Sequence, residues 1–307
     1  MAQKHWAKEQ ERGSLFFLKL TAFLVRYFPL WIMRGITFFV VSYFYLTGKQ
    51  ARQSVYHYQQ NLKKTFPDIK LGRFSVFRQF LAFGETITDR FAVWQNKINA
   101  QNIVLDDPEN LQQQFGKTER GQILAIAHFG NVEVCRALAE MQVKQLKLNV
   151  LVHHKNAEKF NQVLKEAGAE TLSLIPVDQL DMNIMLKLAS KIEQGEYIAI
   201  AADRVPLKGD KTCLVDFLGE KASLPQGVWL LSSLLKAPVN SIFCIKEHNH
   251  YRIKFQKICD PITGRGPQRE QNIQLAAQHY ANLLAKQCYA YPLSWFNFYP
   301  FWQNNHA

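Results

Sequence analysis

The chain has 307 residues, 48% of them hydrophobic and 13% aromatic, so it can bury a sizeable core and cannot be wholly disordered. Its formal net charge is +12, and the first 100 residues hold 15 Lys and Arg against 5 Asp and Glu. This basic excess favours anionic lipid or an acidic protein as partner. Nucleic acid is disfavoured, because the sequence has no nucleic-acid-binding motif. The five cysteines are odd in number and form no CxxC pair, which predicts buried thiols in a reducing compartment rather than disulfides or a metal site.

The first predicted element is a strongly apolar segment at 15–46. Lys19, Arg26 and Arg34 are spaced seven and eight apart, which places them on one stripe of a helix, and Pro29 and Gly35 break the segment. The longest charge-free run, 35–48, is shorter than the roughly 18–20 residues that a membrane-spanning helix needs. We therefore expect residues 1–48 to form helices that lie in a membrane interface. Two buried helices of a soluble domain are the alternative.

The next region, 49–100, predicts two helices separated at Pro67, because its apolar residues recur every three or four positions. From residue 101 onward, short apolar runs alternate with amphipathic helical stretches. The predicted strands are 103–105, 123–127, 148–152, 171–174, 197–201, 212–217, 239–245 and 251–255. The predicted helices are 131–141, 157–168, 181–194, 226–237 and 268–288.

This alternation predicts an α/β domain over 101–307, with a mixed, largely parallel sheet that helices flank. The closing segment 291–302 is aromatic and broken by proline, so we expect it to pack over the core or near a membrane rather than form a helix.

A histidine at the end of the second predicted strand is the strongest chemical signal. Residues 123–127 lead into His128, residues 129–131 turn the chain, and Glu133 lies in the first turn of the predicted helix. A histidine held by a nearby carboxylate is suited to general-base catalysis, because it titrates near neutrality. His153 and Glu158 have the same spacing, but polar residues surround them, and we favour His128 as the base.

Several blocks resemble one known family in the same order. The block HFGNVE at 128–133 resembles the HxxxxD/E motif of the lysophospholipid acyltransferase superfamily, in the form found in the lipid A late acyltransferases and their predicted-acyltransferase relatives. Asp203 and Arg204 fall at that family's acidic block, and Pro225 and Gly227 fall at its Pro-x-Gly block. Where those enzymes usually present an arginine, this chain has His153, His154 and Lys155, a departure that argues against lipid A as the acceptor.

The resemblance implies a glycerolipid acyltransferase-like fold and an O-acyltransferase that needs no cofactor and no metal. The acyl group would pass from acyl carrier protein or coenzyme A to a hydroxyl of a membrane lipid, at the cytoplasmic face of a bacterial inner membrane. His128 would be the base and Glu133 would orient it, while amides near Gly130 and Asn131 would bind the oxyanion. The predicted substrate-binding residues are Gly130, Asn131, Lys155, Asp203, Arg204, Pro225 and Gly227. A thioester hydrolase and a lipid-binding protein without activity are the alternatives.

Overall fold

The computed structural model describes residues 27–94, 97–111, 120–131, 134, 147–152, 172–176, 181–205, 211–248 and 250–302. Its helices are α1 (Leu30–Thr47), α2 (Lys49–Thr65), α3 (Ser75–Trp94), α4 (Met182–Glu193), α5 (Gly227–Leu235) and α6 (Gly266–Ala290). Its strands are β1 (Ile103–Asp106), β2 (Ile123–Gly130), β3 (Leu148–Val152), β4 (Leu172–Pro176), β5 (Tyr197–Ala201), β6 (Thr212–Phe217), β7 (Glu220–Pro225), β8 (Val239–Glu247) and β9 (His250–Cys259).

The first three helices confirm two predicted elements and correct a third. The region 49–100 forms α2 and α3, which are separated around Pro67 as the sequence predicts. The break predicted at Gly35 is wrong, because α1 runs through this residue and begins immediately after Pro29. A glycine inside a helix costs about 1 kcal/mol, and burial of Met33 and Val41 against the rest of the molecule offsets that cost.

One face of α1 is buried, and the other carries large apolar side chains that are exposed to solvent. Met33, Thr37 and Val41 are buried at successive intervals of four residues, and Phe39 and Leu46 are 75% and 72% exposed. Further exposed apolar side chains of this helix are Phe38, Val40 and Tyr43. None of the helices that the structure describes combines the length and the apolar character needed to cross a membrane.

The main sheet has seven strands in the order β1-β9-β8-β2-β5-β3-β4. Every neighbouring pair is parallel except β8 and β9, which form an antiparallel hairpin. β6 and β7 form a separate antiparallel hairpin. The prediction of a mixed, largely parallel sheet is confirmed. The predicted helices 131–141 and 157–168 lie almost entirely outside the described residues.

Hydrophobic clusters cover both faces of this sheet, as the sequence predicts. Along β2, Ile123, Ala125 and Ala127 belong to a cluster that includes residues of α5 and α6. Leu124 and Ile126 pack with a second cluster, which includes Met33 of α1 and Phe91 of α3. Because successive side chains of a strand point to opposite faces, these two sets of β2 residues line opposite faces of the sheet.

Candidate active site

His128 lies inside the end of β2 rather than after it. The strand continues to Gly130, three residues beyond its predicted end, because Gly130 pairs with Cys244 of β8 and Phe129 forms a bridge with Trp295 of the C-terminal segment. The amide of Gly130 donates to the carbonyl of Ser294 at 2.8 Å, and the amide of Phe296 donates to the carbonyl of His128 at 2.7 Å. The two hydrogen bonds fix the backbone on both sides of Phe129.

The imidazole of His128 is hydrogen-bonded to Asp203, which follows β5. β2 and β5 are parallel neighbours, and Ile126 pairs with Ala201, so the same register brings Asp203 beside His128. His128 Nδ1 lies 2.8 Å from Asp203 Oδ1, and the backbone amide of His128 donates to Oδ2 at 2.8 Å. The carboxylate therefore holds both the ring and the main chain of the histidine.

This pairing fixes the protonation of the two groups. The Asp203 side chain is 2% exposed, whereas that of His128 is 38% exposed. Burial raises the pKa of Asp203, but the charge and hydrogen bonds of His128 and the charge of Arg204 outweigh it and lower this pKa to about 2. Burial lowers the pKa of His128 and the charge of Arg204 lowers it further, while Asp203 acts in the opposite direction. At pH 7 the pair is a carboxylate beside a neutral imidazole, the state that a general base requires.

Neutral imidazole carries one proton, and the carboxylate decides which nitrogen bears it. Asp203 is ionised and only accepts hydrogen bonds, so Nδ1 is the protonated nitrogen and Nε2 carries the lone pair. Among the described residues, the structure gives Nε2 no hydrogen-bond partner. Nε2 is therefore the basic nitrogen of this partly exposed side chain.

A third donor and a neighbouring cation complete the surroundings of Asp203. The indole Nε1 of Trp295 donates to Asp203 Oδ2 at 3.1 Å, and the Trp295 side chain is fully buried. Arg204 donates to the carbonyl of Phe296 at 3.1 Å, and its guanidinium lies 5.6 Å from the centre of the Tyr299 ring. The C-terminal segment thus contacts both residues of the predicted acidic block.

The backbone amides predicted to bind an oxyanion already have partners. The amide of Gly130 donates to Ser294, and the amide of Asn131 donates to the carbonyl of Cys244 at 2.8 Å. Gly130 has a φ of +63°, and a Cβ atom there would lie 1.8 Å from that same carbonyl oxygen, so glycine is required. Both residues build the end of β2, and this geometry favours other donors for an oxyanion.

The remaining predicted site residues are placed as follows. Pro225 ends β7, opposite Thr212, and Gly227 begins α5, where a Cβ atom would meet nothing within 4 Å. Glu133 and Lys155 lie outside the described residues, as do His153 and His154. Among the described residues, Asp203 is the carboxylate that hydrogen-bonds to the His128 ring. No group of three or more His, Cys, Asp or Glu forms a metal site in the described part of the chain.

Sequence reasoning finds His128 but misses that Asp203 is its partner and that Trp295 donates to Asp203. The sequence predicts Asp203 as a substrate-binding residue and does not pair it with His128. Its position beside the histidine depends on the order of strands in the sheet, which the sequence pattern does not give. The one available signal is that both residues lie just after predicted buried strands, His128 directly after 123–127 and Asp203 two residues after 197–201. Trp295 belongs to no recognised sequence motif, and its position in the aromatic, proline-broken segment 291–302 is the one sequence feature that distinguishes it.

Comparison with known proteins and protein families identifies the family of this chain. No curated protein sequence matches the chain. A family model described as "Bacterial lipid A biosynthesis acyltransferase" matches residues 3–304, which is nearly the whole chain. The chain therefore belongs to the bacterial lipid A biosynthesis acyltransferase family, and it is an acyltransferase of the lysophospholipid acyltransferase type.

Proposed function

We propose that this enzyme transfers an acyl group from a thioester, on acyl carrier protein or coenzyme A, to a hydroxyl of a membrane lipid or lipid-linked acceptor. The observation that carries the proposal is the imidazole of His128, which is held through Nδ1 by a buried carboxylate while its side chain is 38% exposed. Family membership supplies the reaction class and the lipid nature of the substrates.

The reaction follows from the state of this pair. His128 Nε2 takes the proton of the acceptor hydroxyl as its oxygen attacks the thioester carbonyl, and the imidazolium that forms is stabilised by Asp203. The tetrahedral intermediate then breaks its carbon–sulfur bond, and the thiolate leaves with the proton that His128 returns. General-base assistance of this kind contributes about 10²–10⁴-fold to the rate.

Three further residues keep the roles that the sequence predicts for them. Arg204 lies directly after Asp203 and is positively charged, so it is suited to a phosphate or carboxylate of the donor or acceptor. Lys155 is a second candidate for such an anionic group. Glu133 stays in the proposal as the acid of the HxxxxE motif, and its contribution is measured against that of Asp203 below.

We propose that the enzyme acts at the cytoplasmic face of a bacterial inner membrane. The exposed apolar side of α1 supports attachment to a bilayer surface, because Phe39, Tyr43 and Leu46 expose more than 60% of their area to solvent. The basic excess in the first 100 residues favours anionic headgroups, and it also suits acyl carrier protein, which is acidic.

The catalytic proposal is tested with the purified full-length protein. Lauroyl-acyl carrier protein or lauroyl-coenzyme A is supplied with mixed micelles of a total bacterial lipid extract, and labelled lipid and free laurate are quantified separately. We expect labelled lipid with the wild type and a loss of at least 100-fold with His128→Ala. Free laurate as the main product would make the protein a hydrolase, and equal turnover by His128→Ala would refute the proposed mechanism.

The membrane proposal is tested by sedimentation with vesicles that contain phosphatidylglycerol. Replacing Phe39 and Leu46 together by serine removes two exposed apolar side chains from α1 and should weaken binding about 10- to 100-fold. Leu275→Ser is the matched control, because this leucine of α6 is 62% exposed and lies outside α1. Equal binding by the double variant and the control would contradict attachment through α1.

A further inference from the structure

The indole of Trp295 lies with its polar edge against the carboxylate that orients the catalytic histidine. Asp203 accepts three hydrogen bonds from His128 and Trp295 within the described part of the chain, and they divide unevenly between its two oxygens. Oδ1 accepts from His128 Nδ1, while Oδ2 accepts from the backbone amide of His128 and from Trp295 Nε1. Removing the indole N–H would leave Oδ2 with a single donor from the described residues.

Packing fixes the orientation of this indole. Its ring centre lies 5.1 Å from that of Tyr58, 5.3 Å from that of Phe217 and 5.0 Å from that of Phe301. These residues come from α2, from the β6–β7 hairpin and from the C-terminal segment. A ring held by three separate elements cannot turn its N–H away without disturbing the core.

The backbone around Trp295 is fixed in the same way. Ser294 and Phe296 hydrogen-bond to the end of β2 on either side of Phe129. The carbonyl of Trp295 accepts a hydrogen bond at 2.7 Å from Gln79, a fully buried side chain of α3. The segment 294–296 is therefore held against the strand that carries His128, by contacts with β2 and α3.

We infer that Trp295 is a positioning residue for catalysis, and that the segment 294–296 completes the active site by holding the Asp203 carboxylate and the end of β2 in register. The inference rests on the proposed function, since it deepens the role of His128 as the base. Tryptophan suits the position because it fills the core with a large apolar body and offers a single donor at one edge.

The other charged and titratable groups near the pair stay constant during a test around neutral pH. Arg204 is a permanent cation. Tyr299, whose hydroxyl lies 3.5 Å from the Asp203 carbonyl, has a pKa raised by burial. The pKa values of Tyr280 and Cys288, which pack near Asp203 from α6, are also raised by burial. His128 is thus the group that titrates in this pocket among the described residues.

The first measurement needs no substrate. Diethyl pyrocarbonate reacts with neutral imidazole but not with imidazolium. Its rate of reaction with His128 against pH, followed by peptide mass spectrometry, therefore reports the protonation of this ring. In Trp295→Phe the midpoint should move to higher pH, because a carboxylate that has lost a donor is a stronger partner for the imidazolium. A move to lower pH would mean that the carboxylate has turned away from the ring, and it too would support a positioning role.

Trp302→Phe is the matched control. Trp302 is also buried in this aromatic cluster, but its Nε1 donates to the backbone carbonyl of Phe217 at 3.3 Å and not to Asp203. A midpoint in Trp295→Phe that equals the wild type, or that shifts equally in Trp302→Phe, overturns the inference.

A second variant separates the hydrogen bond from the packing. Incorporating 3-benzothienylalanine at position 295 by nonsense suppression replaces the indole N–H with sulfur in a ring of nearly the same shape. We expect kcat for lauroyl transfer to fall about tenfold with KM unchanged, the effect of one lost hydrogen bond to a charged group. Unchanged kcat would refute the inference. If no transfer occurs even in the wild type, the proposed function fails, while the diethyl pyrocarbonate profile still decides the role of Trp295.

Discussion

Replacing Asp203 by asparagine tests the proposed base most directly, because the change keeps the shape of the side chain and alters one group. In the structure Oδ2 faces two donors, the backbone amide of His128 and Trp295 Nε1, while Oδ1 faces His128 Nδ1. Asparagine has a single acceptor oxygen, and the two donors hold it at the Oδ2 position. Its NH₂ group then faces Nδ1, which must accept a hydrogen bond and therefore lose its proton.

The expected loss follows from this change of tautomer. The ring proton moves to Nε2, so the nitrogen that should take the hydroxyl proton is already protonated. General-base assistance contributes about 10²–10⁴-fold, and an Asp-to-Asn change that produces the wrong tautomer in serine proteases costs about 10⁴-fold. We expect kcat of Asp203→Asn to fall about 10³- to 10⁴-fold at pH 7, or roughly 4–5.5 kcal/mol in activation free energy.

The assay is lauroyl transfer to the lipid extract, measured with protein whose thermal unfolding shows an intact fold. Asp216→Asn is the control, because that carboxylate lies in the β6–β7 hairpin with 72% of its side chain exposed. Glu133→Gln is measured beside both variants. If Asp203→Asn keeps kcat within about threefold of the wild type and Glu133→Gln does not, the argument from tautomers is refuted and Glu133 orients the base.

Three further results are expected. Gly130→Ala should prevent correct folding or strongly destabilise the protein, because the new Cβ atom would lie 1.8 Å from the carbonyl oxygen of Cys244. Gly35→Ala, whose Cβ atom meets no atom within 4 Å, should instead raise the free energy of unfolding by up to about 1 kcal/mol in denaturant titrations. The pKa of Asp203 is lowered from 3.8 to about 2 in the folded state, so the ionised carboxylate contributes its full stabilisation of the fold above pH 4. About 2 kcal/mol of the free energy of unfolding is lost as the pH falls toward 2. An equal loss in acid titrations of Asp203→Asn would contradict this assignment. Because burial and Arg204 lower the pKa of His128 below its usual value of 6.5, the acid limb of the kcat/KM profile should have its midpoint below pH 6.5. A midpoint above pH 6.5 would contradict this lowered pKa.

The sequence predicts the sheet and its flanking helices well because hydrophobic periodicity depends on residues that are close along the chain. The predicted strand at 123–127 and the predicted helices at 181–194 and 268–288 correspond to β2, α4 and α6. The end of β2 is predicted three residues short because its last residues pair with distant parts of the chain, Gly130 with Cys244 of β8 and Phe129 with Trp295 of the C-terminal segment. The helix broken at Gly35 in the prediction is continuous because tertiary packing outweighs a local propensity.

The sequence by itself determines the α/β architecture, places His128 at the end of a buried strand and identifies the family, since each of these depends on local pattern or on the order of motifs. Only the tertiary structure decides which acid and which donor surround that histidine. A sequence motif detects the carboxylate five residues away, whereas the parallel pairing of β2 with β5 brings in an aspartate 75 residues away. Trp295 joins them because the C-terminal segment folds back onto the end of the same strand, an arrangement that no spacing along the chain records.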